Sequence, residues 1–122
     1  MLQSKKYMKH DAQKYFNDIL IAIGDIKEFT KTTKTFHQYS NSKVIKSAVE
    51  RKLAIIGEAI VQIKKIDRKI EIENSLKIIM LRNLLIHAYD SIQDEIIWGI
   101  IVKNLNPLKT EVIALLKKEK NG

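Results

Sequence analysis

Apolar residues recur three and four positions apart through much of the chain. In the N-terminal third they are Tyr15, Phe16, Ile19, Leu20, Ile23, Ile26 and Phe29. A second run contains Ile45, Ala48, Val49, Ile56, Ala59, Ile60, Ile63 and Ile66. This spacing places each run on one side of an α-helix, because the helix repeats every 3.6 residues. A polar connector, "TKTTKTFHQYSNS", separates the two helices, and Ser40, Asn41 or Ser42 can cap the second one.

The C-terminal half predicts three further helices. Asn74 or Ser75 can cap a third helix that extends to about residue 88, and a fourth starts at Asp90 or Ser91. "NLNP" ends the fourth helix, and Pro107 suits the first turn of a short fifth helix. No stretch shows the alternation of a strand. The sequence therefore predicts one all-α domain over residues 1–122, an up-and-down bundle of four main helices plus a short C-terminal helix.

Composition limits the class of protein. The 122 residues contain no cysteine, which excludes disulfides and zinc–cysteine sites. No apolar run approaches the roughly 20 residues of a membrane span, and no signal peptide is evident, so we expect a cytoplasmic protein without a membrane partner. The net charge of +8 attracts polyanions such as nucleic acid, although lysine-rich surfaces also simply keep helical proteins soluble.

Polar groups are concentrated in "RNLLIHAYD", residues 82–90. On a helix Asn83, His87 and Asp90 share one narrow arc, and Tyr89 lies on a neighbouring arc with Arg82. Arg82 and His87 are five residues apart and therefore point about 140° away from each other. A single site that uses both residues needs the helix to end near His87, or a second copy of the segment from another subunit.

These side chains could cleave a phosphodiester without a metal. His87 suits proton transfer, and the planar fork of Arg82 suits a phosphate. Asn83 could hold the imidazole tautomer or bind the ribose, and Asp90 could raise the pKa of His87. An RNA 2′-OH would then attack its own phosphate and leave a cyclic phosphate end. There is no HExxH motif and no glycine-rich phosphate loop, so no metal and no cofactor are expected.

A structural interpretation of the same residues stays open. A single helical histidine is often a hydrogen-bonded structural residue, and a tyrosine such as Tyr89 is often a core ring. An arginine near a helix middle usually pairs with an acid, and here Glu58 and Glu73 are the candidates.

The second helix has a further face of small residues away from its apolar side. It contains Ser47, Ala54, Gly57, Glu58 and Val61. Such a face allows another helix to approach closely, so a homodimer through this region is one interpretation. Small surface residues without a partner are the other.

The segment "RNLLIHAY" has the form R-x4-H-x-Y with a polar residue after the arginine, and resembles the motif of HepT-type toxins in the HEPN superfamily of all-α ribonucleases. "SAVERKLAIIGEAI" and "IIWGIIVKNLNPLKTEV" resemble the second-helix and C-terminal patterns of that family. The resemblance implies a HEPN-like fold and a homodimer whose two motif helices form one composite RNase site. Arg82 would stabilise the phosphate and His87 would act in acid/base chemistry. Asn83 would assist them, with Asp90 and Glu58 in supporting positions.

The same resemblance implies a partner and a mode of regulation. The partner is a minimal nucleotidyltransferase antitoxin of the MntA type, which inactivates the toxin by transferring AMP to the motif tyrosine, here Tyr89. Two alternatives remain: a non-catalytic helical module that binds a nucleotidyltransferase, and a purely structural dimerising bundle. The presence of Arg82, His87 and Tyr89 together favours the ribonuclease, because a binding module has no need of all three.

Overall fold

Two long helices form the frame of the molecule. The computed structural model describes residues 2–86 and 94–121, with side chains for residues 11–83 and 94–119. Helix α1 (Leu2–Phe29) and helix α3 (Lys43–Ile66) pack along each other. The side chain of Ser42 accepts a hydrogen bond from the Ile45 N–H at 3.2 Å, so Ser42 is the cap among the three candidates. Burying the apolar sides of α1 and α3 against each other creates the core.

The core contains most of the residues that the spacing predicts. In α1 the buried side chains are Ala12, Phe16, Ile19, Ala22, Ile23 and Ile26. In α3 they are Val49, Leu53, Ile56, Ala59, Ile60 and Ile63. Phe29, at the end of α1, is 38% exposed and lies at the edge of this core.

The polar connector contains a short helix that its composition does not predict. Helix α2 (Phe36–Ser40) begins where the Thr35 side chain accepts a hydrogen bond from the Gln38 N–H. The helix buries Tyr39, whose ring lies 5.7 Å from that of Trp98, centroid to centroid. One buried aromatic side chain therefore anchors a segment whose composition is otherwise that of a loop.

Helix α4 (Leu76–Ile86) follows a single 3₁₀ turn, Glu73–Ser75. The carboxylate of Glu111 accepts the backbone N–H of Glu73 at 2.6 Å and that of Asn74 at 3.3 Å. These are N–H groups at the start of a helical segment, which have no partner within it. The start of α4 is thus stabilised from a distant helix rather than by capping side chains of Asn74 or Ser75.

The C-terminal part departs from the prediction at Pro107. Helix α5 (Asp94–Gly99) passes through a π-helical turn (Ile100–Asn104) into α6 (Leu105–Asn121) without leaving helical geometry. In the π turn the Leu105 N–H donates to the Ile100 carbonyl, five residues back. A proline in a helix lacks an N–H and crowds the carbonyl four residues earlier, and the wider turn just before Pro107 relieves that conflict. The expectation that "NLNP" ends a helix was therefore wrong.

All regular structure in the described ranges is helical, which confirms the prediction of an all-α bundle. Helix α6 packs on α1, and α4 packs on α3. Within those ranges, no helix combines the length and the hydropathy that crossing a bilayer requires.

Candidate functional site

Helix α4 approaches α3 most closely at Gly57. A Cβ atom at this position would lie 2.5 Å from the Arg82 Cβ and 2.9 Å from the Arg82 Cγ. It would also lie 3.2 Å from the Ile78 carbonyl oxygen. Only a residue without a side chain fits this contact, so Gly57 allows Arg82 to lie directly on α3.

This contact corrects one interpretation of the small-residue face of α3. Gly57 is buried, and α4 of the same chain covers it. Glu58, on the same face, accepts a hydrogen bond from the Arg82 side chain of α4 and stays partly exposed. At Gly57 the small residue therefore serves packing within one chain.

The Arg82 guanidinium is held between two side chains. Its Nε donates to Glu58 Oε2 at 3.0 Å, its Nη2 donates to the same oxygen, and its Nη1 donates to Asn83 Oδ1 at 2.8 Å. Glu58 is in turn fixed by Gln62, whose Nε2 donates to Glu58 Oε1 at 2.9 Å. Of the two acids expected near Arg82, Glu58 is the partner, whereas the backbone of Glu73 binds Glu111.

The electrostatics of Glu58 agree with this arrangement. Its pKa is lowered, first by the hydrogen bond from Gln62, then by that from Arg82, with a further contribution from the positive charge of Lys65. Glu58 is therefore ionised at neutral pH, and it fixes the guanidinium on one side. Neither Gln62 nor Lys65 is predicted by the sequence pattern as part of the site. Gln62 could have been found, because it lies one helical turn after Glu58 on the same face.

Asn83 faces outward together with apolar neighbours. Its side chain is exposed, as are those of Leu76 (70%) and Met80 (57%). These three positions are separated by four and three residues, so they form one strip along α4, which we call the outer strip. The outer strip lies beside Arg82, whose side chain is only 23% exposed.

The remaining predicted site residues, His87, Tyr89 and Asp90, lie outside the described residues. Arg82, Asn83 and Glu58 are thus the members of the predicted set that the structure brings together. The described part of the site is an arginine with fixed orientation, an acid that orients it and an exposed amide.

A second polar cluster follows the undescribed segment. Asp94 Oδ2 accepts from Ser40 Oγ at 3.1 Å and pairs with Lys46 Nζ at 3.2 Å. Burial, followed by the charge of Asp94, raises the pKa of Glu50 nearby, and Lys46 partly offsets this. No local sequence pattern predicts this cluster, because its members come from α2, α3 and α5. It fixes the start of α5 on the bundle.

Comparison with known proteins assigns the family. Residues 19–115 match the family model described as "Ribonuclease HepT-like". "Putative RNase MJ1380" of Methanocaldococcus jannaschii is 36% identical over 106 residues, which cover 85% of this chain and 95% of that protein. "Probable ribonuclease HepT" of Thermococcus cleftensis is 32% identical over 111 residues, covering 90% of this chain and all of that protein.

A longer relative contains the same unit as part of a larger chain. "Gamma-glutamylcyclotransferase and putative RNase MJ0434" of M. jannaschii is 32% identical over 121 residues, or 94% of this chain but 53% of that protein. No solved structure matches the chain. The family match spans α4 with Arg82 and the helices that hold it in place. The chain therefore belongs to the Ribonuclease HepT-like family, RNA-cleaving enzymes of the HEPN superfamily.

Proposed function

We propose that this chain is a metal-independent endoribonuclease in which Arg82, Asn83 and His87 cut RNA. The observation that supports this most is the Arg82 guanidinium, which lies at the surface of α4 with its orientation set by Glu58 and Asn83. A planar cation held in one orientation can bind a phosphate and stabilise the charge that develops on it. The long Arg82 side chain loses its conformational entropy when the protein folds, so substrate binding need not order it.

The proposed reaction is a transesterification within the RNA strand. The His87 imidazole takes the proton of a ribose 2′-OH, and the 2′-oxygen attacks the adjacent phosphorus. The bond from phosphorus to the 5′-oxygen of the next nucleotide breaks, and that oxygen takes a proton from an imidazolium. The products are a 2′,3′-cyclic phosphate and a 5′-hydroxyl. Arg82 binds the non-bridging oxygens, and the Asn83 amide orients the ribose or the imidazole.

The active form that we propose is a homodimer formed through the outer strip of α4. Leu76 and Met80 expose a large part of their apolar surface on this strip, next to the amide of Asn83. Burial of apolar surface favours association, and two α4 helices that pair across a two-fold axis would bury both strips. Residues five positions apart, as Arg82 and His87 are, point about 140° away from each other on an ideal helix, so a dimer would also allow the residues of two copies to face one phosphate.

The regulation that we propose is AMP transfer to Tyr89 by a nucleotidyltransferase antitoxin of the MntA type, in a toxin–antitoxin pair. The support is the motif, in which Tyr89 follows His87 by two residues. A phosphate ester on Tyr89 would add negative charge to the motif that contains Arg82, where it would compete with the phosphates of RNA. The test is intact mass of the chain after incubation with such an enzyme and ATP. A gain of AMP that persists in Tyr89→Phe would exclude Tyr89 as the acceptor.

The nuclease proposal is tested with purified protein and a defined RNA. We expect wild type to cut the RNA without added metal and to leave cyclic phosphate ends, while Arg82→Ala and His87→Ala lose at least about a hundredfold in rate. His37→Ala is the matched control, because His37 is exposed on α2. Equal rates for all four proteins, or no cutting by wild type, would contradict the proposal and favour the non-catalytic module.

A further inference from the structure

A concave surface lies between the C-terminal end of α3 and the first turns of α4. Its described lining consists of Val61, Lys64, Lys65, Arg68 and Ile79, and its volume is about 460 Å³. This volume lies within the range of about 300–1,000 Å³ that is usual for ligand sites. We call this feature the basic groove. It has an apolar floor, Val61 and Ile79, and a rim of three cations.

The cations of the basic groove are available to a ligand. Among the side chains of residues 11–83 and 94–119, the ion pairs join Lys14 to Asp18, Lys46 to Asp94, Lys52 to Asp25 and Arg82 to Glu58. None of them includes Lys64, Lys65 or Arg68, and all three are exposed. Three cations without a described acidic partner, gathered around one concavity, create a local positive potential that attracts phosphates.

The basic groove is continuous with the Arg82 site. Ile79 precedes Arg82 by three residues on α4, and Val61 follows Glu58 by three residues on α3, so each is about 4.5 Å along its helix from that pair. The charge of Lys65 contributes to the lowered pKa of Glu58, which places Lys65 within electrostatic reach of the carboxylate that orients Arg82. A strand bound at Arg82 can therefore continue into the groove.

We propose that the basic groove binds the sugar–phosphate backbone of the RNA substrate beside the scissile phosphate. Lys64, Lys65 and Arg68 contact phosphates, and Val61 and Ile79 contact the apolar face of a ribose or a base. Phosphate contacts position a strand without reading its sequence, so the groove sets where the strand lies on the enzyme and not which sequence is cut. This inference rests on the proposed ribonuclease function, because RNA is the ligand.

The test measures binding apart from cleavage. The probe is a fluorescein-labelled 2′-O-methyl RNA oligonucleotide, which has no 2′-OH nucleophile, and its affinity is measured by anisotropy over a series of salt concentrations. In the groove variant, Lys64, Lys65 and Arg68 are replaced by Gln. We expect its affinity at low salt to fall roughly tenfold or more. The slope of the logarithm of the association constant against the logarithm of salt concentration is negative, and we expect it to become shallower by about 0.7 for each phosphate contact removed.

A matched variant controls for net charge. In it, Lys31, Lys34 and Lys43 are replaced by Gln; all three are exposed, and Lys43 begins α3, roughly 30 Å from Lys64 along the helix. This variant has the same net charge as the groove variant, and we expect its affinity and its salt slope to stay close to those of wild type. Equal losses in both variants would overturn the proposal, since net charge alone would then explain binding.

The outcomes separate this inference from the proposed function. Wild type that cuts RNA, together with a groove variant that binds the probe as well as wild type, would overturn the groove and leave the nuclease intact. The lysines near the end of α3 would then serve the helix, because cations stabilise a helix C-terminus. Wild type that neither cuts RNA nor binds the probe would overturn both. Thermal unfolding of the two variants, followed by circular dichroism, shows that each is folded.

Discussion

The Cα of Gly57 lies so close to the Arg82 side chain that the two helices carrying them have no room for a methyl group between them. The contact joins the backbone of α3 at Gly57 to the Cβ of Arg82. The guanidinium of the same arginine binds Glu58, the next residue of α3. The spacing of the two helices and the orientation of the candidate catalytic arginine therefore depend on the same few atoms.

Gly57→Ala should destabilise the protein and displace Arg82. Alanine favours a helix by about 1 kcal/mol over glycine, but the added Cβ would clash with Arg82 and with the Ile78 carbonyl, at a typical overpacking cost of about 1–3 kcal/mol. We expect a net loss of up to about 2 kcal/mol in the free energy of unfolding, measured by urea denaturation.

Gly24→Ala is the control for that substitution. Gly24 is exposed in α1, and a Cβ there would meet nothing within 4 Å. We expect this change to stabilise the protein by about 0.5–1 kcal/mol. If Gly57→Ala changed the free energy of unfolding as Gly24→Ala does, α4 would be able to move away from α3 without loss of stability.

Glu58→Gln should lower stability in a pH-dependent manner. The pKa of Glu58 in the folded protein is below its unfolded value, so its contribution is present above the unfolded pKa and disappears as pH falls through the folded pKa. The Glu58 side chain is 44% exposed, so the loss at neutral pH should be below about 1 kcal/mol. Glu28→Gln, on the exposed surface of α1, removes the same charge. A deficit of Glu58→Gln that stays constant into strong acid would contradict the role of its charge.

Glu50→Gln should raise the free energy of unfolding at neutral pH, whereas Glu58→Gln should lower it. Burial and Asp94 raise the pKa of Glu50. The stabilising contribution of its carboxyl group is therefore fully present below the unfolded pKa and is lost as pH rises through the folded pKa. We expect Glu50→Gln to be more stable than wild type at neutral pH, by less than about 1 kcal/mol, and nearly equal to it in acid. Glu95→Gln is the comparison, since Glu95 is exposed beside Asp94. Denaturant titrations across pH decide the sign.

Glu substitutions on the outer strip should disrupt the proposed homodimer. In Leu76→Glu and Met80→Glu, two charges would face each other across the two-fold axis, and we expect the dissociation constant to rise by at least about tenfold for each variant. Sedimentation velocity measures this shift. The control is Ile21→Glu, because Ile21 is 63% exposed but lies on α1. Dissociation by Ile21→Glu with no effect of the α4 variants would place the interface elsewhere.

The elements that could be predicted from sequence are those whose evidence is local. The apolar spacing of α1 and α3 and the Ser42 cap depend on residues within a few turns, and the structure confirms them. Helix α2 escaped prediction because its polar composition resembles a loop and its stability depends on burying Tyr39 against Trp98. Glu111 accepts hydrogen bonds from Glu73 and Asn74 at the start of α4, although it follows them in sequence by 38 and 37 positions, respectively. No local pattern shows contacts over such a separation.

The candidate site shows the same division. The Arg82–Glu58 pair could be anticipated, because acids near a helical arginine are few. The role of Gly57 could not, since a helical wheel shows that a face is small but not which neighbour covers it. A family motif identified Arg82 and Asn83, whereas the basic groove combines ordinary surface lysines that become a group only when α4 packs beside α3.

The π turn at Ile100–Asn104 determines the rotation of α6 about its own axis. Each residue added to or removed from a helix rotates the remainder by about 100°, so the turn sets the direction in which α6 presents Glu111. Deleting one residue between Ile100 and Asn104 would turn that carboxylate away from the backbone N–H groups of Glu73 and Asn74 at the start of α4. The π turn thus rotates α6, which contains Pro107, into the orientation in which Glu111 binds the start of α4.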